Sequence, residues 1–318
     1  MKYLTAVLAL FVSLSAQAWQ PSKPVIAVVG FTPGGFTEIV FRATANQVEK
    51  NTGAKFVVLN KPGAGSAVAN EYITTQQPDG HTILIGSTPA LVATDRMLLP
   101  NKTYGLKDWT FATYLAHNPM ALFTHPADPV NNIAEFINTV KNEQVTMGDP
   151  GSAARLTYEL LVSHIKFIEG PKNVVRVEYK GPVDTVNDVM GRQIRFGIAP
   201  SLITIGAVQG GKLKLIALTG IETTAIFPGV QTMKSVFPDF DFSLSTGIVL
   251  PKDTPAKIVT WYETEFSKAL EADEVKELLA RSLGFTNKSL QNSKAFKAFA
   301  EREEKRYSTL VDKVITSH

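Results

Sequence analysis

The amino-acid sequence predicts an α/β protein with two lobes, each formed by a mostly parallel β-sheet flanked by helices. Short apolar, β-branched runs alternate with amphipathic segments along most of the chain, and two longer extended runs, 109–126 and 242–250, interrupt the alternation. Such alternation is typical of βαβ units, which form parallel sheets covered by helices. The predicted strands are 25–29, 56–59, 82–85, 145–147, 174–177, 194–198 and 213–218. The predicted helices include 37–50, 66–75, 153–164, 184–190 and 293–314.

The two extended runs are predicted to cross between the lobes. On this basis, residues 19–122 and 246–318 form the first domain, and residues 123–245 form the second. A mature chain of about 300 residues is long enough for two domains with cores of their own.

The first 18 residues have the pattern of a cleaved secretory signal. Lys2 precedes an apolar stretch over 4–14, and Ala16-Gln17-Ala18 matches the small-residue cleavage pattern. No later stretch approaches the ~20 consecutive apolar residues of a membrane helix. The mature chain is therefore expected to be an exported, soluble protein.

Composition excludes several classes of function. The formal net charge is only +3 at pH 7 and no basic run occurs, so a nucleic-acid partner is not expected. The chain has no cysteine, which excludes thiol catalysis and disulfides. The five histidines show no metal-ligand spacing. Neither a metal nor a cofactor is therefore expected.

Four predicted strand-to-helix junctions have features of an anion site. They are rich in glycine, proline and small hydroxyl residues, and in one of them Thr88 is predicted to cap a helix that starts at Pro89. Main-chain N–H groups at such turns, with the positive end of a helix dipole, can bind a carboxylate. Each junction alone could equally be an ordinary tight turn. The four are Thr32-Pro33-Gly34-Gly35, Gly86-Ser87-Thr88-Pro89-Ala90, Gly148-Asp149-Pro150-Gly151-Ser152 and Tyr179-Lys180-Gly181-Pro182.

The same junctions offer little catalytic chemistry. Ser87 and Ser152 leave open an exported serine hydrolase or acyltransferase, although neither has an evident base. Gly63-Ala64-Gly65 resembles half of a dinucleotide fingerprint, but Val68 stands where its third glycine belongs. A solute receptor is therefore favoured over an enzyme, and a ligand sensor for a signalling partner is the remaining alternative.

A series of short motifs in a fixed order carries a resemblance to a known family. They are Lys23-Pro24, Pro33-Gly34-Gly35-x-Thr37-Glu38, Asn60-Lys61-Pro62-Gly63-Ala64-Gly65, Pro78-Asp79-Gly80-His81-Thr82, Tyr179-Lys180-Gly181, Gly191-Arg192-Gln193, Gly211-Lys212-Leu213-Lys214, Pro228-Gly229-Val230-Gln231-Thr232 and Pro251-Lys252-Asp253-Thr254-Pro255-Ala256. The chain resembles the Bug-type (TctC) extracytoplasmic receptors of tripartite tricarboxylate transporters. This implies a two-lobed periplasmic binding protein fold of type II that closes around a small carboxylated solute. It also implies a periplasmic location and delivery of the solute to a membrane permease, and we expect a monomer.

The resemblance also implies which residues contact the solute in the cleft between the lobes. Phe36 stands where the family commonly has a third glycine, and the usual aspartate is Glu38. The position of Phe36 over ligand or core stays open, as does the choice between a dicarboxylate and an aromatic or apolar monocarboxylate. The implied contact residues are Phe31, Thr32, Pro33, Gly34, Gly35, Phe36, Glu38, Ala64, Gly65, Ser87, Thr88, Gly151, Ser152, Ala153, Arg155, Ala199 and Pro200.

Two further departures from the family pattern concern the second lobe. Ala199-Pro200 replaces a polar Asp-Asn pair that is common after the corresponding strand. Arg155 stands where a histidine is common, and we expect its guanidinium to bind a distal carboxylate of the solute, since guanidinium binds carboxylates bidentately. A salt bridge within the protein is the alternative.

Overall fold

The structure, a computed structural model, describes residues 19–165, 174–220 and 226–316. The predicted signal at 1–18 lies outside the described residues. The strands are β1 (Val25–Val29), β2 (Phe56–Asn60), β3 (Thr82–Ser87), β4 (Trp109–Asn118), β5 (Met120–Thr124), β6 (Val145–Asp149), β7 (Val174–Glu178), β8 (Phe196–Pro200), β9 (Lys214–Leu218), β10 (Gln231–Thr232) and β11 (Leu244–Pro251). The helices are α1 (Phe36–Thr52), α2 (Ala67–Thr74), α3 (Asp95–Leu98), α4 (Ile133–Asn142), α5 (Ser152–Ile165), α6 (Pro182–Met190), α7 (Ser201–Gln209), α8 (Met233–Val236), α9 (Ala256–Leu270), α10 (Asp273–Arg281) and α11 (Ser293–Thr316).

The first lobe is built on a sheet with the strand order β2-β1-β3-β11-β4. β1 pairs in parallel with β2 and β3, whereas β11 is antiparallel to both of its neighbours. Helices α1 and α9 pack together beside this sheet, where Phe41 stacks on Phe266 with ring centroids 5.9 Å apart. The first sheet therefore has a single strand, β11, that opposes the common direction among the described residues.

The second lobe is built on a sheet with the order β10-β9-β5-β8-β6-β7. Here β5 is antiparallel to β8 and β9, and the other described pairs are parallel. Phe136 of α4 packs edge-on against Phe196 of β8 inside this lobe. The predicted fold of two lobes on mostly parallel sheets is confirmed.

The chain passes between the two sheets twice. The first passage is at Pro119, between β4 of the first sheet and β5 of the second, and the second lies between β10 and β11. The first passage falls within the predicted crossing 109–126. The second, over 233–243, overlaps the predicted crossing 242–250 only at residues 242 and 243, because most of that run is β11 itself. The domain boundaries 122/123 and 245/246 fall within β5 and β11 and remain a proposal.

The parallel strands determine where helices begin. Helices α1, α5, α6 and α7 each follow the carboxyl end of a strand: α1 starts seven residues after β1, and the other three start within four residues of the ends of β6, β7 and β8. Helix N-termini therefore collect at the sheet edges where ligands bind in open α/β sheets. No helix in the described ranges is both long enough and apolar enough to cross a membrane.

A buried carboxylate lies in the first lobe, at the start of α3. Asp95 is fully buried, and its Oδ2 accepts hydrogen bonds from Asn70 Nδ2 at 2.8 Å and from the Tyr104 hydroxyl at 2.9 Å. Lys102 Nζ lies 4.0 Å from the same oxygen. Burial raises the pKa of Asp95 to about 6, because it penalises the charged form more than Lys102, Asn70 and Tyr104 stabilise it.

We predict that Asp95 makes the protein less stable as the pH rises. Because its pKa is higher in the folded than in the unfolded chain, its contribution is full below about pH 4 and is lost as the pH rises through about 6. A shift of about two pKa units corresponds to a change on the order of 3 kcal/mol in the free energy of unfolding. The substitution Asp95→Asn should remove this pH dependence while keeping an oxygen acceptor.

Urea unfolding of both proteins at pH 4, 5, 6 and 7 measures this effect. The difference in unfolding free energy between wild type and Asp95→Asn should shift in favour of the variant as the pH rises. Asp312→Asn, which removes an exposed carboxylate, is the control. Parallel pH profiles for wild type and Asp95→Asn would show that Asp95 is not the group responsible.

Candidate functional site

A small cavity lies between the lobes, where the N-termini of four helices meet. Its volume is about 30 Å³, which is room for about one water molecule. The lobes are therefore closed against each other, and an organic solute can enter only when they separate. The cavity is lined by Val29, Phe31, Gly35, Phe36, Thr37, Glu38, Met120, Pro150, Gly151, Ser152, Ala153, Ala154, Pro182, Pro200 and Leu244.

The first lobe contributes the uncapped start of α1. Gly35 is the N-cap residue in an extended conformation, and no side chain caps the helix. The first helical hydrogen bond runs from Ile39 N to Gly35 O at 3.0 Å. The N–H groups of Phe36, Thr37 and Glu38 thus have no acceptor within the helix. We call these three donors the first anchor.

The second lobe contributes the start of α5. The N–H of Gly151 donates to Asp149 Oδ1 at 2.8 Å, and that of Ala154 donates to Gly151 O at 3.2 Å. Between them, the N–H groups of Ser152 and Ala153 have no acceptor within the helix. Both residues line the cavity, and we call their two donors the second anchor.

The rest of the lining is largely apolar. Among the described residues that line the cavity there is no lysine, arginine or histidine. Prolines and large apolar side chains instead surround the two anchors, so few polar groups compete for the main-chain donors. An anion in this cavity would be bound by helix N-termini at low local dielectric, where such hydrogen bonds are stronger than in water.

Glu38 lines the cavity but its carboxylate already has partners. Its Oε1 accepts from Arg42 Nε at 2.7 Å and its Oε2 accepts from Asn60 Nδ2 at 2.9 Å. The same Asn60 amide donates to the carbonyl of Phe31 at 2.9 Å. Glu38 therefore holds the loop after β1 in place through Asn60.

Contacts between the lobes surround the cavity. The hydroxyls of Ser87 and Ser152, one from each lobe, form a hydrogen bond at 2.7 Å. Gly151 has a φ of +74°, and a Cβ there would lie 2.6 Å from Gly65 Cα. The two loops approach so closely that a side chain at Gly151 would require the backbone of one lobe to move.

The sequence model of the family described as "Tripartite tricarboxylate transporter family receptor" (TctC) matches residues 40–315. The chain belongs to this receptor family. It is a periplasmic solute-binding protein of the TctC/Bug type and not an enzyme. The hydroxyls of Ser87 and Ser152 bond to each other, which does not activate either as a nucleophile.

Individual relatives match most of the chain. A UPF0065 protein in the gbd 5′ region of Cupriavidus necator is 29% identical over 300 residues, covering 92% of this chain and 88% of that protein. Protein BugT of Bordetella pertussis is 26% identical over 293 residues, covering 88% of each chain. The solved periplasmic binding protein BugD superimposes with a TM-score of 0.85 at 25% identity, over 93% of this chain and 98% of its own. MatC from Rhodopseudomonas palustris, solved with bound malate, has the same fold, with a TM-score of 0.85 at 23% identity over 92% of this chain and all of its own.

The structure brings about half of the predicted contact residues of the receptor to the cavity. Thr32, Gly34, Gly65 and Ser87 lie instead at contacts between the lobes; Thr32, for example, lies against Gly181. The predicted residues that line the cavity are Phe31, Gly35, Phe36, Glu38, Gly151, Ser152, Ala153 and Pro200. Pro33, Ala64, Thr88, Arg155 and Ala199 do not line it.

Two side chains differ from the sequence prediction. Thr88 does not cap a helix, because its hydroxyl is buried without a hydrogen-bond partner. Arg155 lies outside the cavity lining, and its guanidinium is paired within the protein. Its Nη1 lies 3.1 Å from Asp149 Oδ2 and its Nε lies 2.9 Å from Glu159 Oε1. The salt-bridge alternative is therefore the observed one, and the bridge is buried.

Sequence reasoning missed seven lining residues. Pro150 and Pro182 belong to two of the four predicted anion-binding junctions, so the sequence contains a signal for both residues. Met120 and Leu244 are the first residues of β5 and β11, and the sequence carries no signal that their side chains reach the cavity. The missed residues are Val29, Thr37, Met120, Pro150, Ala154, Pro182 and Leu244.

The closed arrangement predicts a specific cross-link. Replacing Ser87 and Ser152 with cysteine should give a disulfide between the lobes, because their hydroxyl oxygens are 2.7 Å apart. The chain has no other cysteine. Thiol titration after mild oxidation should find no free thiol in the double variant and one thiol in Ser152→Cys alone. Two persistent thiols in the double variant would contradict this closed geometry.

Gly151 should control how readily this cross-link forms. In the double-cysteine protein, Gly151→Ala should slow disulfide formation at least tenfold, because the added Cβ collides with the Gly65 backbone. Gly53→Ala is the matched control, since Gly53 has a similar φ of +78° but nothing within 4 Å of its Cβ position. Both substitutions carry the same left-handed backbone cost of about 1 kcal/mol. Equal oxidation rates in the two variants would contradict the role of the Gly65–Gly151 contact.

Proposed function

We propose that this receptor captures a small carboxylate between its lobes and delivers it to the membrane permease of a tripartite tricarboxylate transporter. The observation that supports the carboxylate most strongly is the convergence of the first and second anchors on one cavity whose described lining has no cationic side chain. Family membership supports the permease as the partner. The receptor acts as a monomer in the periplasm.

One anchor alone is not enough for tight binding. A hydrogen bond to a charged group contributes roughly 1.5–3 kcal/mol, so three donors of the first anchor give about 5–9 kcal/mol. Association costs about 4–15 kcal/mol, which one anchor does not clearly exceed. Contributions from the second anchor and from the apolar walls make up the difference.

Two anchors in opposite lobes fit a short dicarboxylate. One carboxylate would accept from the first anchor and the other from the second, and the apolar lining would surround the carbon chain between them. MatC was solved with malate, and a second solved structure of this fold, Rpa4515 of R. palustris, was solved with adipate. An apolar monocarboxylate would use one anchor and the apolar walls, and it is the other outcome of the test.

The first test is a thermal-shift screen followed by isothermal titration calorimetry with succinate, L-malate, adipate, benzoate and phenylacetate. At least one acid should raise the melting temperature and bind with a dissociation constant in the micromolar range or lower. Uncharged succinamide should have no effect. Absence of binding by every acid in the panel would contradict the proposal.

A pair of variants at Phe36 tests the main-chain donors. Phe36→Pro removes one N–H of the first anchor at the first helical position, where proline is tolerated and where Gly35 already has an extended conformation. Phe36→Ala loses the same aromatic ring but keeps the N–H. The proline variant should bind the best acid of the panel at least tenfold more weakly than the alanine variant. A tenfold loss of affinity corresponds to the loss of one charge-assisted hydrogen bond. Equal affinities would show that this N–H does not bind the acid.

A further inference from the structure

The second anchor has a buried carboxylate immediately beside it. The side chain of Asp149 is 6% exposed, and its Oδ1 accepts the N–H of Gly151 at 2.8 Å. This bond holds the loop in which Gly151 and Ser152 have φ values of +74° and +48°. Asp149 therefore gives the second anchor its shape.

Asp149 shapes the second anchor, but its negative charge disfavours the binding of a carboxylate there. A negative charge within one turn of the α5 N-terminus offsets the positive end of the helix dipole and repels an incoming carboxylate. Little water screens this repulsion, because the side chain is buried. Without compensation, the second anchor would be correctly shaped but poorly suited to an anion.

Arg155 supplies the compensation. Its guanidinium is 4% exposed, and its Nη1 lies 3.1 Å from Asp149 Oδ2. Among the described residues, Arg155 is the ion-pair partner of Asp149. Glu159, its second partner, is also paired with Arg176 at 3.0 Å. When Arg155 is lost, Glu159 therefore keeps a cation, whereas the described part of the chain offers no second cation to Asp149.

In the first lobe, a carboxylate beside the first anchor is likewise paired with an arginine, but the anchor there depends less on that arginine. Glu38 in the first turn of α1 holds its loop through Asn60, and Arg42 neutralises it at 2.7 Å. The Arg42 side chain is 54% exposed, so water shares the compensation there. Arg155 has no such help from solvent.

We infer that Arg155 is a positioning and charge-compensating residue that lets the second anchor accept a carboxylate by neutralising Asp149, without touching the solute. The inference rests on the proposed function. It assigns Arg155 an effect on affinity that comes from charge at Asp149 and not from contact with the solute.

The experiment compares Arg155→Gln, Arg155→Lys, the double variant Asp149→Asn/Arg155→Gln and the control Arg176→Gln. Dissociation constants for succinate, L-malate, adipate and benzoate are measured by calorimetry, and the melting temperature without acid is measured in parallel. Arg155→Gln should weaken the acid that wild type binds best by about tenfold or more, as expected for an uncompensated charge near the site. Arg155→Lys should stay within about threefold of wild type.

The double variant distinguishes charge compensation by Arg155 from a purely structural role of the ion pair. It lacks both members of the ion pair, so a purely structural role predicts a protein at least as impaired as Arg155→Gln. Charge compensation instead predicts affinity within about threefold of wild type, whatever the melting temperature. Arg176→Gln, which removes a cation from Glu159 and not from Asp149, should change the affinity less than twofold.

Each outcome of this experiment supports or overturns the role of Arg155. Affinity in Arg155→Gln within threefold of wild type, or no recovery in the folded double variant, overturns the role of Arg155 while leaving the proposed function intact. If Arg155→Gln does not fold, wild-type-like affinity in the double variant supports the inference and loss of affinity there overturns it. Failure of wild type to bind any of the four acids overturns the proposed function, and the inference falls with it.

Discussion

The first turn of α1 has main-chain donors that the helix itself cannot satisfy. Gly35 has no side chain to cap them, and the surrounding walls are mostly apolar, so solute or water must accept these hydrogen bonds. The start of α5 presents the same need from the opposite lobe. The strands of the two sheets place these two helix starts at one cavity, and close contacts between the lobes surround it.

Charge is kept near the cavity but out of its lining, except at Glu38. The two carboxylates closest to the anchors, Glu38 and Asp149, hold loops, and each is paired with an arginine. The receptor therefore offers an anion dipoles and N–H groups instead of a cationic side chain. Such a site avoids the desolvation of a full ion pair when the lobes close.

The sequence predicts the fold well because local patterns determine it. β1 has the predicted bounds, and the other predicted strands differ by one or two residues, mostly because strand pairing extends into the following junction. The helix starts were recognisable from their glycines and prolines, whose backbone preferences are local.

The side chains of the site were less predictable, because their directions depend on tertiary contacts. The guanidinium of Arg155 could bind either a solute carboxylate or a carboxylate of the protein, and the position of Asp149 at the end of β6 decides between them. Met120 and Leu244 carry no sequence signal for a site; they line it because β5 and β11 begin beside the cavity. The sequence predicts that the hydroxyl of Thr88 caps a helix, whereas this hydroxyl is buried without a hydrogen-bond partner.

A crystal structure of the receptor with a bound carboxylic acid from the screen tests the central claim most directly. The account predicts carboxylate oxygens about 2.7–3.2 Å from main-chain nitrogens of residues 36–38, with a second acidic group, if the acid has one, near those of Ser152 and Ala153. A carboxylate held by a lysine, arginine or histidine side chain, with both helix starts unused, would contradict it.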